Sequence, residues 1–379
     1  MTYENQARKI LEKADVEING KNPWDMQVHN PRMFQRVFSQ GTLGLGESYM
    51  DGDWDCKKLD EFFYKVLRKD LEKELKWNFS TLLTVLKAKV FNLQNRSHAF
   101  EIGEKHYDTG NDLYEAMLDK RLTYTCAYWD LGAKTLDEAQ EDKLELTCRK
   151  IGLNKEKEEN VLDIGGGWGS FAKYAAQNYG TRVKAITVSK EQVELGKELT
   201  NGISNVEIRL QDYRDLGKNE MFDHIVSLGM FEHVGVKNYK EYFKVVRNHL
   251  KDGGLFLLHT IGNNESQSST DPWISKYIFP NSVLPSQKQI AESVEGIFIE
   301  EDSHNLSTNY DKTLMTWYNN IHNSWDKLNA KGEKYNKKFK RMWEYYLLSC
   351  AGSFRARRIQ VWQKVFSKNG VLGGYKSIR

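Results

Sequence analysis

The sequence predicts an α/β protein whose centre is a Rossmann-like, mostly parallel sheet. An apolar strand-like run, Asn160-Val-Leu-Asp-Ile164, leads into Gly165-Gly-Gly-Trp-Gly169, and short apolar segments then alternate with helix-patterned ones to about residue 300. That alternation is the order of a sheet wound with helices on both faces. The chain's 379 residues, 40% of them hydrophobic, can bury a core and suffice for two or three compact units.

Ahead of that sheet, a strand is expected at Val16-Glu-Ile-Asn-Gly20, a turn at Asn22-Pro23, a second strand near Met26 to His29 and a helix from Pro31. Gly41-Thr-Leu-Gly-Leu-Gly46 reads as a loop. No Lys-Ser/Thr follows it and no strong strand precedes it, which argues against a phosphate loop. From Leu59 to Leu93 apolar residues such as Leu67, Leu71, Leu75, Leu82 and Leu86 recur at helical spacing, interleaved with Lys65, Arg68, Lys69, Lys73, Lys76, Lys87, Lys89 and Arg96. Two readings of this stretch stay open. It is either a pair of surface helices packed on the domain, or a surface that touches anionic lipid headgroups with Trp77 and Phe79 at the interface. The unpatterned polar stretch 92–100 suggests a linker, so we expect a small N-terminal α+β domain over 1–92, a linker over 93–104 and the main domain over 105–379.

Within the main domain, Asn111–Leu118 and Leu136–Ile151 read as helices, and a helix follows the glycines from Ser170 to Gln177. Strands are expected at Val183–Ser189, Val206–Leu210, Phe222–Leu228 and Leu255–Leu258, the last preceded by a turn at Lys251-Asp-Gly-Gly254 and a helix from Tyr239 to Leu250. The Trp-, Tyr- and Lys-rich tail from Thr313 reads as mostly helical. The net charge of +3 argues against a nucleic-acid partner. Four scattered cysteines, Cys56, Cys126, Cys148 and Cys350, without a C-x-x-C pair argue against a disulfide framework or a metal site. With no basic leader and no run of ~18 apolar residues, the protein is expected in the cytoplasm.

Chemistry concentrates after the strands. Glycines at 165, 167 and 169 let the backbone turn sharply against a ligand, and their Gly-x-Gly-x-Gly spacing, with Asp163 on the strand before them, favours S-adenosylmethionine (SAM) over a dinucleotide. A dinucleotide site also wants an acid at the end of the next strand, where this chain has Thr187 and Ser189 with Gln192 beyond. After the third strand, Asp212 is expected to accept from the adenine amino group and Tyr213 to cover the ring. Glu232 and His259 lie just past strand ends, where ligands bind in open α/β sheets.

These residues, with Lys105-His-Tyr-Asp108, Tyr124-Thr-Cys-Ala-Tyr-Trp129, Phe231-Glu-His-Val-Gly235, Leu257-Leu-His-Thr-Ile-Gly262, Tyr310 and Cys350-Ala-Gly-Ser-Phe-Arg-Ala-Arg357, resemble the cyclopropane-fatty-acyl-phospholipid synthases and their mycolic acid methyltransferase relatives. Gly44-Leu-Gly-Glu-Ser-Tyr-Met-Asp-Gly52 resembles the bacterial phospholipid synthases alone. The resemblance implies a class I SAM-dependent methyltransferase domain with a lipid-contacting N-terminal domain. It implies methylene transfer to the cis double bond of unsaturated acyl chains in membrane phospholipids, through a carbocation deprotonated by a bound bicarbonate. It carries the bicarbonate site onto Cys126, Glu232, His259 and Tyr310, and SAM contacts onto Tyr124, Thr125, Gly165, Gly167, Thr187, Gln192 and Tyr213. It implies peripheral association with an anionic membrane surface, and pairing with a second copy stays open. Where this chain has Gly166 the family usually has Cys, a change expected to matter little if the backbone makes the contact. A thiol adduct at Cys350 is not expected, because alkene methylation needs none. Two other outcomes remain: a relative that leaves a methyl or hydroxymethyl branch, and a non-catalytic lipid-binding relative.

Overall fold

The computed structural model describes residues 2–71 and 110–379. The linker expected at 93–104, most of the basic amphipathic stretch and the Lys105–Asp108 motif lie outside the described residues. The described chain divides into two compact units. One comprises 110–268, 281–309 and 360–379; the other joins 2–71 with 269–280 and 310–359.

The first unit is the expected sheet. Its strands are β1 (Asn160–Ile164), β2 (Arg182–Thr187), β3 (Val206–Leu210), β4 (Phe222–Leu228), β5 (Leu250–Asn263), β6 (Ile299–Asn305) and β7 (Ile359–Ser367). Their order across the sheet is β3-β2-β1-β4-β5-β7-β6. The pairs β1/β2, β1/β4, β2/β3 and β4/β5 are parallel, and β6/β7 is antiparallel. Helices Ser170–Tyr179, Lys190–Leu199 and Tyr239–His249 make crossovers between the parallel strands. Successive side chains alternate between two buried faces. Leu162, Ile164, Ile225 and Phe256 enter a core with Tyr242, Phe243 and Phe366, while Val161, Val226 and Leu257 pack with Phe171, Ala172 and Val365. The winding runs outward in opposite directions from β1 and β4, so the carboxyl ends of these neighbours form the switch point where such sheets bind ligands.

Two expectations here need correction. The turn at Lys251–Gly254 is absorbed into β5, which pairs from Leu250 onward and jumps register between Phe222↔Leu250 and His224↔Leu255. Glycine is required there because a Cβ on Gly254 would lie 2.2 Å from the Asp223 carbonyl oxygen. The tail is not helical to its end: Arg357, at φ +61°, turns the chain out of helix Lys337–Arg355 into β7. Trp362 of β7 then lies over Gly262, where a Cβ would come within 1.9 Å of the ring.

The second unit is mainly helical, with helices Tyr3–Glu12, Arg32–Gln40, Thr42–Met50, Leu59–Arg68, Pro272–Tyr277 and Lys337–Arg355, and one antiparallel ribbon pairing Gln27–Val28 with Trp54–Asp55. The strand expected at 16–20 is reduced to an Ile18↔Met26 bridge. The loop expected at 41–46 is instead the start of helix Thr42–Met50. Its glycines serve close packing rather than turning: a Cβ at Gly44 would meet the Arg36 carbonyl oxygen at 2.2 Å, and one at Gly46 would meet Trp273 at 2.3 Å. Among the described residues no helix is long and apolar enough to cross a membrane.

Candidate active site

A cavity enclosing about 1260 Å³, its open mouth included, lies at the carboxyl ends of β1, β2 and β4. The glycine turn forms its floor, with Gly165, Gly167 and Gly169 at φ +81°, +57° and +83°. The three differ in what they tolerate. A Cβ on Gly165 would strike Met230 at 2.6 Å and one on Gly169 would strike Ile208 at 2.8 Å, whereas one on Gly167 meets nothing within 4 Å among the described residues. Gly167 thus leaves space for a ligand to approach its backbone. Gly169 is not in the cavity wall; it is the left-handed N-cap of helix Ser170–Tyr179. A Cβ at Gly166 would lie 2.7 Å from the Ala185 Cβ, so this position and Ala185 share one volume and a larger residue at 166 requires a smaller one at 185. The departure at Gly166 therefore matters to packing.

The other residues expected to hold SAM also line the cavity, from Tyr124 and Thr125 on one side to Thr187, Gln192, Asp212 and Tyr213 on the other. The Thr187 hydroxyl donates to Gln192 Oε1 at 2.6 Å, and Ser189 caps the helix that carries Gln192. Arg214 donates to both oxygens of Asp212, from Nε at 2.8 Å and Nη2 at 2.7 Å, which orients the carboxylate in the cavity wall. Asp163 is 1% exposed, and neither of its carboxylate oxygens has a hydrogen-bond partner among the described residues. Burial pushes its carboxyl up to about 7, opposed by the Lys143 ammonium. An acceptor left this costly is suited to a cationic ligand group.

This raised carboxyl has a consequence for stability. Between its ordinary value of 3.8 and about 7, the unfolded chain has released a proton that the folded chain retains, so stability drains away as pH rises through that window. The cost has a ceiling of ~1.4 kcal/mol per pH unit. Asp163→Asn stays neutral throughout. The thermal midpoint of the ligand-free variant should gain on the wild type from pH 4 to 7, and a constant difference over that range would contradict the assignment.

Glu232 sits on the turn Phe231–His233 beyond β4, 5% exposed. The Ile261 N–H donates to its Oε1 at 2.6 Å, and the Val283 N–H donates to its carbonyl oxygen at 2.8 Å. Burial pushes its carboxyl up to about 7, with the Ile261 amide opposing. His259 is buried on β5, opposite Leu228 of β4 and two residues from Ile261, so the Glu232 carboxyl is held next to the His259 segment. Burial, with Lys143 and Lys150 adding to it, keeps the imidazole neutral, well below its ordinary pKa. Gln363 Nε2 lies 3.3 Å from His259 Nδ1; donation in that orientation puts the ring proton on Nε2. Cys126 is fully buried and its thiol donates to the Ala127 carbonyl at 3.2 Å. Chain neighbours of these residues, Thr125 and His233, line the cavity. Tyr310 belongs to the helical unit, where its ring packs on Phe354 at 4.7 Å and edge-on to Trp317 at 5.8 Å. Cys350 lies in the same unit, and burial pushes its thiol up to about 12.

The sequence reading missed Lys143, a fully buried lysine in the cavity wall, and Gln140, whose amide donates to the carbonyls of Thr123 at 3.2 Å and Thr125 at 2.8 Å. Both lie on helix Leu136–Lys150, where polar residues at helical spacing ordinarily mark the solvent face. Nothing in the sequence separates that case from this one.

A sheet of this order, with a glycine turn and an unsatisfied acid at the end of β1, defines a SAM-dependent methyltransferase. Residues 94–364 match the family described as Mycolic acid cyclopropane synthetase, and the chain belongs to that family. It is 50% identical over 373 residues to the cyclopropane-fatty-acyl-phospholipid synthase of Escherichia coli (strain K12), covering 98% of this chain and 95% of that one. Among solved structures it is similar to mycolic acid cyclopropane synthase CmaA1 complexed with SAH and CTAB, with a TM-score of 0.65 and 30% identity over 71% of this chain and 98% of that one. It is also similar to the cyclopropane synthase MmaA2 from Mycobacterium tuberculosis, with a TM-score of 0.66 and 28% identity over the same shares of the two chains, 71% and 98%.

Proposed function

We propose that this enzyme transfers the methylene carbon of SAM to the cis double bond of unsaturated acyl chains in membrane phospholipids, giving cyclopropane chains. The observation that carries the proposal is the buried Glu232 carboxyl, one oxygen fixed by the Ile261 N–H and the other, Oε2, without a geometric hydrogen-bond partner among the described residues, held next to the segment of a neutral His259. The near full-length similarity to the Escherichia coli phospholipid synthase supports the choice of substrate.

When bound, SAM supplies an electrophilic methyl group. An alkene is a weak nucleophile, so the protein must fix the reacting carbons at near-attack distance and keep water from the cation that forms. Asp163 would hold the cofactor's ammonium, and Thr187 and Gln192, which also line the cavity, would hold its ribose. A bound bicarbonate would supply the proton acceptor. Glu232 would accept from its hydroxyl, His259 would donate to it through Nε2, and Cys126 would be a weaker donor. Tyr310 is retained in this set on the family resemblance alone. A small oriented anion suits this step, because a protein carboxylate or thiolate facing the cation would itself be alkylated.

Peripheral contact with anionic membrane is part of the proposal, carried by the basic stretch from Lys65 to Arg96. Lys65 is already engaged, 4.0 Å from Asp15 and 4.7 Å from the Trp24 ring centroid, so the contact falls to the residues beyond it. Purified enzyme with SAM and vesicles of unsaturated phospholipid tests both parts. The expected product gains one CH2, loses its olefinic protons and shows strongly shielded ring protons by NMR. Its rate should rise with the anionic lipid fraction and fall with salt. Retained olefinic protons or an added hydroxyl would mark a branching enzyme, and absence of product with intact SAM binding a non-catalytic relative.

A further inference from the structure

Helix Leu136–Lys150 carries Gln140, Lys143, Thr147 and Lys150, all 0% exposed, at spacings that set them on one face. Lysine is rarely buried to this degree unless it is paired. Lys150 has His304 Nδ1 at 3.1 Å and Asp302 at 3.8 Å. Lys143 is placed differently. Its ammonium donates to the Thr125 hydroxyl at 2.9 Å, and its side chain forms part of the cavity wall.

The titratable groups facing Lys143 are the carboxyls of Asp119 and Asp163 and the thiol of Cys126, which donates to the Ala127 carbonyl. Asp119 is spent on its own loop, accepting from the Thr123 N–H at 2.7 Å and the Arg121 N–H at 3.1 Å. Asp163 accepts no hydrogen bond among the described residues. One cavity wall therefore holds a cation bonded to a neutral hydroxyl and a carboxylate with unsatisfied oxygens. A ligand carrying an ammonium and a carboxylate on one carbon would satisfy both, the ammonium at Asp163 and the carboxylate at the Thr125 and Lys143 donors.

We infer that Lys143 is a specificity-determining positioning residue: acting through the Thr125 hydroxyl, it makes binding depend on the α-carboxylate of the cofactor's amino-acid end. This rests on the cofactor assignment and is independent of the lipid reaction. It also gives Gln140 a purpose, since that amide fixes the backbone carbonyls that hold Thr125 in place.

Calorimetric titration with two ligands tests it. S-adenosylhomocysteine has the amino-acid end, and 5′-methylthioadenosine keeps the nucleoside and sulfur without it. Lys143→Met should bind S-adenosylhomocysteine ~10- to 100-fold more weakly, the range for losing a hydrogen bond to a charged group, with the affinity for 5′-methylthioadenosine unchanged. Thr125→Val keeps the lysine and should show the same selectivity loss in smaller measure, so the proposal stays testable if Lys143→Met does not fold. In the double variant the two losses should be less than additive. Equal weakening of both ligands would assign Lys143 a purely structural role and overturn the inference, as would unchanged S-adenosylhomocysteine affinity. Failure of the wild type to bind either ligand would overturn the cofactor assignment instead.

Discussion

Glu232→Gln is expected to lower turnover by ~10²- to 10⁴-fold, the usual contribution of a positioned proton-transfer group, while S-adenosylhomocysteine binds as tightly as to the wild type. Glutamine keeps the size of the side chain, and its oxygen can still accept from the Ile261 N–H, which lies 2.6 Å from Glu232 Oε1. Its nitrogen then stands where the unpartnered Oε2 was, a donor in place of an acceptor. The bicarbonate hydroxyl loses its partner. Burial holds the Glu232 carboxyl at about 7, so the accepting form accumulates only as pH rises through that value. Wild-type kcat/KM should therefore rise across pH 6 to 8, a limb the Gln variant lacks. Enzyme freed of dissolved bicarbonate should slow and recover when it is restored, and His259→Gln should raise the concentration needed. Full turnover in the depleted enzyme, or in Glu232→Gln with normal cofactor affinity, would send the proton elsewhere and leave these residues a packing role.

The parts of the fold that were legible in the sequence are those where one local signal dominates. β4 falls where its apolar run predicts, because a strand buried on both faces has little choice of residue, and β3, at the sheet edge with only Ile208 buried, shows instead in its alternation of apolar and charged residues. The SAM turn was legible because its glycines adopt the positive φ that glycine permits. The same residue misled at Gly44 and Gly46, where it makes room for Arg36 and Trp273, neighbours that only the folded chain supplies. β7 was hidden for a related reason: Gln363 and Lys364 are polar yet 0% and 3% exposed, which breaks the expected pattern. At the proposed site, the places of Glu232 just past β4 and of His259 near the end of β5 follow from the strand pattern. Lys143 was not legible, because its identity as a wall residue depends on which face of its helix is covered. The ion pair of Asp212 with Arg214, two residues on, was not legible in the sequence.

The second large effect is expected at the glycine turn, and here the structure separates two substitutions that the sequence treats alike. Gly165 and Gly167 both have positive φ, so any side chain strains the backbone at either position. At Gly165 a Cβ also runs into Met230 at 2.6 Å, so Gly165→Val should lower the thermal midpoint and reduce soluble yield before any question of ligand arises. At Gly167 a Cβ meets nothing within 4 Å among the described residues beyond its chain neighbours, yet the residue lines the cavity. Gly167→Val should accordingly fold, with a cost confined to the backbone strain of ~1 to 3 kcal/mol, and put its branched side chain where the cofactor approaches the main chain. The expected result is a folded protein that gives no calorimetric signal with S-adenosylhomocysteine and no thermal shift on adding it. Near wild-type affinity in folded Gly167→Val would mean that the ligand does not rest on this turn, and the cofactor's seat would have to be sought elsewhere on the sheet.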